Sequence, residues 1–203
     1  MEIYNEGMYK QICSYIPDVM QHLYSDHARN SIDLVELRDA FRANQMQGKA
    51  WLCDNINHFS RSSKILVVGS WLGFLSYCLY KMGFNYITET DIDSRLEILS
   101  CSLNSVNDNF LHYNDDVNNI ILDEYDIIIN TSCEHIENNN WFHNIKNGTI
   151  LVLQSTNFIS YDHPNTVNSI DEMKSKYKLS KYMYEGELVF NSSFSRFMII
   201  GVK

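Results

Sequence analysis

Proline is nearly absent from this chain, with two in 203 residues, and glycine is sparse at eight. That scarcity excludes collagen-like and proline-rich disordered tracts. Basic residues are also few: 16 Lys and Arg stand against 25 Asp and Glu, a formal net charge of −9. Holding duplex nucleic acid on a general basic surface takes clustered cations, so the charge argues against that class, while a local basic patch stays open. The five cysteines are odd in number and widely spaced, without any Cys-x-x-Cys pair. They suggest neither a disulfide framework nor a zinc site, and no metal is expected. No apolar run approaches the roughly 20 residues that span a bilayer. The first ten residues, MEIYNEGMYK, carry acids where a secretion signal has basic residues and an apolar segment. A reduced, cytoplasmic protein with no membrane contact is expected.

What is present is ordinary for a globular protein, with 45% hydrophobic and 20% charged residues. The length suits one α/β domain, and no repeat or linker divides it. Residues 1–63 read as a helical extension, with helices predicted over Tyr9–Tyr15, Val19–Tyr24 and Ile32–Phe41, the last with Asn30 and Ser31 as possible caps. A further helix around Gln45–Ile56 is expected against the edge of the first strand. Its Gln45, Gln47, Lys49 and Trp51 form an unusual cluster, which also fits a solvated helix start with one buried Trp.

Residues 64–203 read as a core of alternating strands and helices, and Lys64–Arg95 is its organising stretch. Ile65–Val68 is a continuous β-branched and apolar run of the kind buried on both faces. Gly69 follows, then Ser70, Trp71, Leu72 and Gly73, then Phe74, Leu75, Cys78, Leu79 and Met82 at helical spacing. A second strand, Tyr86–Thr90, runs into Asp91, 22 positions after Gly69. Such a βαβ unit lets a ligand approach a helix N-terminus, with the acid accepting from ribose hydroxyls. Further strands are predicted at Phe110–Tyr113, Tyr125–Asn130 and Thr149–Gln154, with short helices between them. Val167–Tyr177 reads as a helix, and Tyr182–Phe190 with Ser195–Val202 as a closing hairpin that puts two strands at the sheet edge, one of them antiparallel.

The second glycine of a dinucleotide loop lets a pyrophosphate touch the backbone, and here Trp71 occupies that position, which disfavours NAD and FAD. A Walker lysine is missing as well. The series from Val67-Val-Gly69-Ser-Trp-Leu-Gly73 through Thr90-Asp91-Ile-Asp93, Asp115 or Asp116, Tyr125–Asn130 and the terminal hairpin resembles the class I S-adenosylmethionine-dependent methyltransferases. The resemblance covers residues 60–203. It implies a Rossmann-like, doubly wound and mostly parallel sheet of about seven strands with a C-terminal antiparallel hairpin and an N-terminal helical layer. It also implies S-adenosyl-L-methionine as cofactor, with Gly69, Ser70, Trp71 and Gly73 near its methionine part. Asp91 would hold the ribose hydroxyls and Asp115 or Asp116 the adenine amino group, with Ile92 and Asn130 as further cofactor-binding candidates. Taken singly, Asp93 and Asp115 also fit a helix cap and a turn acid.

Ligands of doubly wound sheets bind outside the strands' carboxyl ends, where Asn130-Thr-Ser-Cys-Glu-His135 gathers the most reactive types. The Asn/Asp-Pro-Pro-aromatic sequence of the family's amino-methylating nucleic-acid enzymes is missing, since Asn130 is followed by no proline. Asn130, Glu134 and His135 are therefore the candidate catalytic residues, Glu134 and His135 as bases. A hydrogen-bonded loop histidine is the plainer account of His135. Gln154, Asn157, His163 and Arg196 are the candidate substrate residues, although Arg196 by default reads as an ion pair with Glu185 or Glu187. Cys133 reads as a small buried hydrophobe. A methyltransferase for a small polar metabolite is the resulting expectation. RNA or a nucleotide is an alternative substrate if Lys49, Arg61 and Lys64 form a basic rim. Transfer of the aminocarboxypropyl group, or a partner-binding module without turnover, are the others.

Overall fold

A computed structural model describes residues 5–23 and 32–203. The expected caps Asn30 and Ser31, and Tyr24, lie outside the described residues. Within them four helices come first: α1 (Glu6–Cys13), α2 (Ile16–Leu23), α3 (Leu34–Ala40) and α4 (Ala43–Ile56). The core follows as β1 (Lys64–Val68), α5 (Phe74–Lys81), β2 (Tyr86–Asp91), α6 (Glu97–Asn104), β3 (Leu111–Asn114), β4 (Ile127–Asn130), α7 (Asn140–His143), β5 (Ile150–Thr156), α8 (Ile170–Lys176), β6 (Lys181–Asn191) and β7 (Phe194–Val202). One-turn 3-10 helices at Val117–Asn119, Leu122–Glu124 and Cys133–His135 fill the loops around β4.

The seven strands form one sheet in the order β3-β2-β1-β4-β5-β7-β6. β1 pairs in parallel with β2 and β4, β2 with β3, and β4 with β5; β7 runs antiparallel to both β5 and β6. This is the doubly wound sheet with a terminal hairpin expected above. The continuous apolar runs follow from burial on both faces. Ile65, Val67, Ile127 and Ile129 pack into one cluster with α1, α4, α5 and α6. Leu66, Val68 and Ile128 pack into the other, with Trp141, Phe142, Met173 and Tyr177.

The position of α4 corrects one expectation. β1 has strands on both sides and so offers no edge; α4 instead lies across a sheet face, its Trp51, Leu52 and Ile56 buried with Ile65, Val67 and Met198. Trp51 Nε1 donates to Tyr184 Oη at 2.8 Å, tying the helix to β6. Its length is what allows this: 14 residues rise about 21 Å, enough to cross several strands. The sequence also predicts a helix over Ser94–Asn104; α6 starts later, at Glu97, because Asp93–Leu96 forms a turn first, with Leu96 N donating to Asp93 O and Arg95 N to Asp93 Oδ1.

A candidate active site at the strands' carboxyl ends

Strand order reverses between β1 and β4, so the loops after these strands diverge and leave a crevice. The two loops touch at its base: a Cβ on Gly69 would stand 3.2 Å from Ser132 Cβ. Gly69 and Gly73 have φ of +64° and +70°, and Trp71 shares the left-handed region at +52°. A non-glycine residue held there costs energy and is over-determined by its surroundings. What holds it is Asp91, whose Oδ2 accepts the Trp71 N–H at 2.7 Å and whose Oδ1 accepts that of Asp93 at 3.0 Å. The acid at the end of β2 thus sets the glycine loop that follows β1.

The acidic loops are braced to each other. Thr90 Oγ1 donates to Asp115 O at 2.7 Å and Asn114 Nδ2 to Asp91 O at 3.0 Å. Asp115 Oδ1 accepts from Asp116 N and Asn119 Nδ2, and Asp116 Oδ1 accepts from Asn118 N, capping a 3-10 turn. Each carboxylate thus has one oxygen engaged within its own loop, and both residues line the cleft. Asp93 is taken up by Arg95, which also pairs with Glu36; it lies in the turn ahead of α6, whose N-cap is Leu96, so the helix-cap reading of Asp93 is corrected to a turn acid.

The cleft has a volume of about 1180 Å³. Asp91, Ile92, Asp115 and Asp116, after β2 and β3, and Glu134, His135, His163 and Arg196, on the β4, β5 and β7 side of the sheet, all line it. Gly69 and Trp71 lie between. Beneath the glycine loop a smaller chamber of about 70 Å³ is lined by Ser70, Trp71, Gln45, Lys49, Glu134 and Arg196 among others. Burial, reinforced by the Arg196 charge, pulls the Lys49 ammonium down to about 8. Ser70 Oγ and Arg196 Nε are buried there without a hydrogen-bond partner. The chamber therefore presents unmet donors to whatever enters it.

Glu134 sits in the 3-10 turn after β4 and is 3% exposed. The loop after β5 is stitched to that turn by Asn165, whose N–H donates to Glu134 O at 3.0 Å and whose Nδ2 donates to Tyr177 Oη at 3.2 Å. This stitch brings His163 beside His135, their rings edge to face with centroids 4.4 Å apart. Phe158, Phe190 and Phe194 build an apolar wall nearby.

No protein-family model and no curated protein sequence matches the chain. Solved structures do. The N-methyltransferase NodS from Bradyrhizobium japonicum WM9, in complex with S-adenosyl-L-homocysteine, superimposes with a TM-score of 0.64 at 12% identity over 91% of this chain and 97% of that one. The magnesium protoporphyrin IX methyltransferase ChlM from Synechocystis PCC 6803, with bound S-adenosyl-L-homocysteine, gives 0.59 at 12% over 97% and 99%. TehB from Haemophilus influenzae gives 0.57 at 17%; the match covers 74% of this chain and 61% of the TehB chain. The chain has the class I methyltransferase fold.

On this methyltransferase fold the predicted site residues fall into two groups. Ser70, Trp71, Gly69, Asp91, Ile92, Asp115, Asp116, Glu134, His135, His163 and Arg196 all face the cleft or its chamber. Gly73, Asn130, Gln154 and Asn157 stand behind it. Gly73 is pressed against Ser100 and Asn104. Asn130 is fully buried, its Oδ1 accepting Ser132 N at 2.9 Å and its Nδ2 without a partner. Gln154 Nε2 donates to Gly48 O at 3.0 Å, and Asn157 Oδ1 accepts Ser195 N at 2.8 Å.

The default for Arg196 is overturned. Its Nη1 donates to Thr131 O at 3.2 Å and approaches Gln154 Oε1 at 3.5 Å, while Glu185 pairs with Lys174. Its stem lies over Gly48, where a Cβ would come within 3.2 Å of Arg196 Cδ. A mid-helix glycine is unfavourable by about 1 kcal/mol against alanine; that cost was the sequence signal for a close approach at α4, and with it for Lys49 and Gln45 as site residues. The basic rim does not form, because Lys64 begins β1 and Arg61 stacks on Phe84, at the other end of the strand from Lys49. Cys133 is fully buried and its thiol is pushed well above the usual range by burial, as a small core residue's would be.

Proposed function

We propose that this protein binds S-adenosyl-L-methionine in the cleft and transfers its methyl group to a small polar metabolite. The observation that carries this is the Asp91 carboxylate, fixed by the Trp71 and Asp93 N–H groups at the end of β2. From there it faces the cleft beside the braced Asp115 and Asp116. Two solved neighbours of this fold hold the cofactor's demethylated product.

In this reading Asp91 accepts from the ribose hydroxyls and Asp115 or Asp116 from the adenine amino group. Ile92, 74% exposed, supplies apolar surface for the ring. The methionine part runs under Gly69–Trp71, where Lys49 and Arg196 meet its carboxylate. Gly73 and Asn130 hold the two loops from behind. The methyl group then faces Glu134, His135 and His163, and the phenylalanine wall accommodates an apolar part of the substrate. A sulfonium already activates the methyl group, so the protein has to align the acceptor and receive its proton. Glu134 and the free ring nitrogens of the histidines are placed for that. Gln154 and Asn157 support Arg196 and the β7 strand rather than touching substrate.

Calorimetric titration with S-adenosylmethionine and S-adenosylhomocysteine tests the first half, and absence of binding by either at high micromolar concentration overturns it. For the second half, the protein is incubated with methyl-labelled cofactor and a metabolite extract. Label in a small molecule together with S-adenosylhomocysteine marks methyl transfer; methylthioadenosine would instead mark aminocarboxypropyl transfer.

A further inference from the structure

The carboxylate of Glu134 and the imidazoles of His135 and His163 form a cluster with a chemistry of its own. One ligand atom from each lies within 4.8 Å of the other two. Glu134 Oε2 is buried and has no hydrogen-bond partner. A buried carboxylate oxygen in that state is costly until a donor or cation completes it.

Both histidines are held in the form a cation needs. His135 Nδ1 lies 3.0 Å from the Asp162 carbonyl oxygen, and His163 Nδ1 lies 2.7 Å from that of Phe158. A carbonyl only accepts, so each Nδ1 carries the hydrogen and each Nε2 keeps its lone pair. Metal-binding histidines are oriented in this way, one ring nitrogen donating to a carbonyl or carboxylate while the other ligates. The Asp162 carboxylate adds negative charge alongside, with Oδ2 3.6 Å from His135 Nδ1 and Oδ1 4.0 Å from His163 Nε2.

We propose that Glu134, His135 and His163 bind a divalent transition ion of the zinc type, with coordination positions left open to the cleft. Two imidazoles and one carboxylate suit such an ion, whereas magnesium and calcium prefer an all-oxygen set. Tetrahedral bonds of about 2.1 Å put ligand atoms about 3.4 Å apart, so the trio closes by as much as about 1.4 Å from its 4.8 Å span. The His135 side chain is 43% exposed and has room to make that movement. The expectation of no metal rested on cysteine spacing, to which this cluster is invisible.

The inference rests on the methyltransferase reading and deepens it, since an open ion selects a substrate that brings a hydroxyl oxygen. That oxygen coordinates the ion, its proton becomes more acidic and leaves to solvent, and its electron pair forms the new O–C bond. The C–S bond breaks with its electrons staying on sulfur, so the charges balance and no oxidant or reductant is required. Glu134, His135 and His163 are then ligands, and the ion replaces them as the group that lowers the proton's affinity.

The test uses the whole protein stripped with a chelator and then titrated with Zn²⁺ by calorimetry and with Co²⁺ by visible absorption. One ion per chain is expected, with the cobalt bands of a four- or five-coordinate nitrogen and oxygen site and no thiolate charge-transfer band. His163→Ala, Glu134→Gln and the exposed His135→Ala should each weaken binding by at least about a hundredfold, with unchanged circular dichroism. His58, an exposed histidine just past α4, lines neither the cleft nor its chamber, and His58→Ala should bind as wild type. No uptake of either ion at millimolar concentration, or uptake that all three variants retain, overturns the site. Cofactor titration of the same stripped protein separates the two readings: cofactor binding without metal binding overturns this inference alone, and metal binding without cofactor binding overturns the methyltransferase reading.

Discussion

The backbone N–H of Trp71 donates to Asp91 Oδ2 at 2.7 Å, joining the glycine loop after β1 to the acid that ends β2. A residue with φ of +52° stays in place because a carboxylate receives its N–H. In the proposed reading one carboxylate therefore both shapes the loop beside the cofactor's methionine part and holds the ribose.

Asp91→Ala removes both roles. Cofactor titration should show affinity reduced by a hundredfold or more, corresponding to about 3 kcal/mol for hydrogen bonds to a charged group. Asp91→Asn keeps one acceptor oxygen and should lose less. Equal losses in the two variants would mean that the loop geometry does not depend on this carboxylate.

Gly73→Ala tests the other side of the loop. The position has φ of +70°, and an added Cβ would overlap Ser100 Oγ and stand 2.7 Å from Asn104 Nδ2. Left-handed strain alone is about 1–2 kcal/mol, and the overlap adds to it. Urea unfolding should show a loss of about 2–4 kcal/mol.

Glu89 predicts a pH dependence. Its carboxylate is fully buried on β2 and accepts from Ser76 Oγ, Ser100 Oγ and His112 Nδ1, the last at 2.9 Å. Burial pulls the His112 imidazole down, but the Glu89 hydrogen bond and charge outweigh it and the net shift is upward. The folded state thus binds the His112 proton more tightly than the unfolded chain does, so this contribution is fully present below about pH 6.5 and is lost as pH rises through the folded value. Thermal midpoints measured from pH 5 to 9 should fall over that window. Glu89→Ala should remove the slope and destabilise by about 3–5 kcal/mol, as breaking a buried pair does.

Lys49 predicts opposite effects on fold and ligand. Its ammonium is held down to about 8 by burial and by Arg196, so its charge is a burden on the fold. Lys49→Met should raise the melting temperature near pH 7, where the lysine is still charged, and weaken cofactor binding. A variant that melts lower, or binds equally well, would remove Lys49 from the proposed carboxylate contact.

The regular elements were legible where a pattern is local. Ile65–Val68, the α5 face and the terminal hairpin each carry their own periodicity, and each forms at or near its predicted bounds. Asp91, Asp115 and Asp116 were legible because a parallel strand's carboxyl end is identifiable from its own sequence. Arg196 and the α4 placement were not: whether an arginine on β7 meets a hairpin glutamate or a helix glycine depends on which face α4 covers, and no local period encodes that.

Sequence alone determined the alternation of strands and helices, the glycine loop without a dinucleotide signature, and the acids in order along the chain. These are local choices, made by side-chain periodicity and by what glycine permits at positive φ. Tertiary structure alone decided which loops meet. His135 and His163 become neighbours because β4 and β5 pair in parallel, Asn130 beside Leu153, so their carboxyl ends abut and Asn165 stitches the following loops together. Lys49 and Arg196 share a chamber because α4 crosses the sheet above β7 with Gly48 between them. Strand order and helix placement minimise the exposed apolar area of the whole chain, and no single segment contains that information.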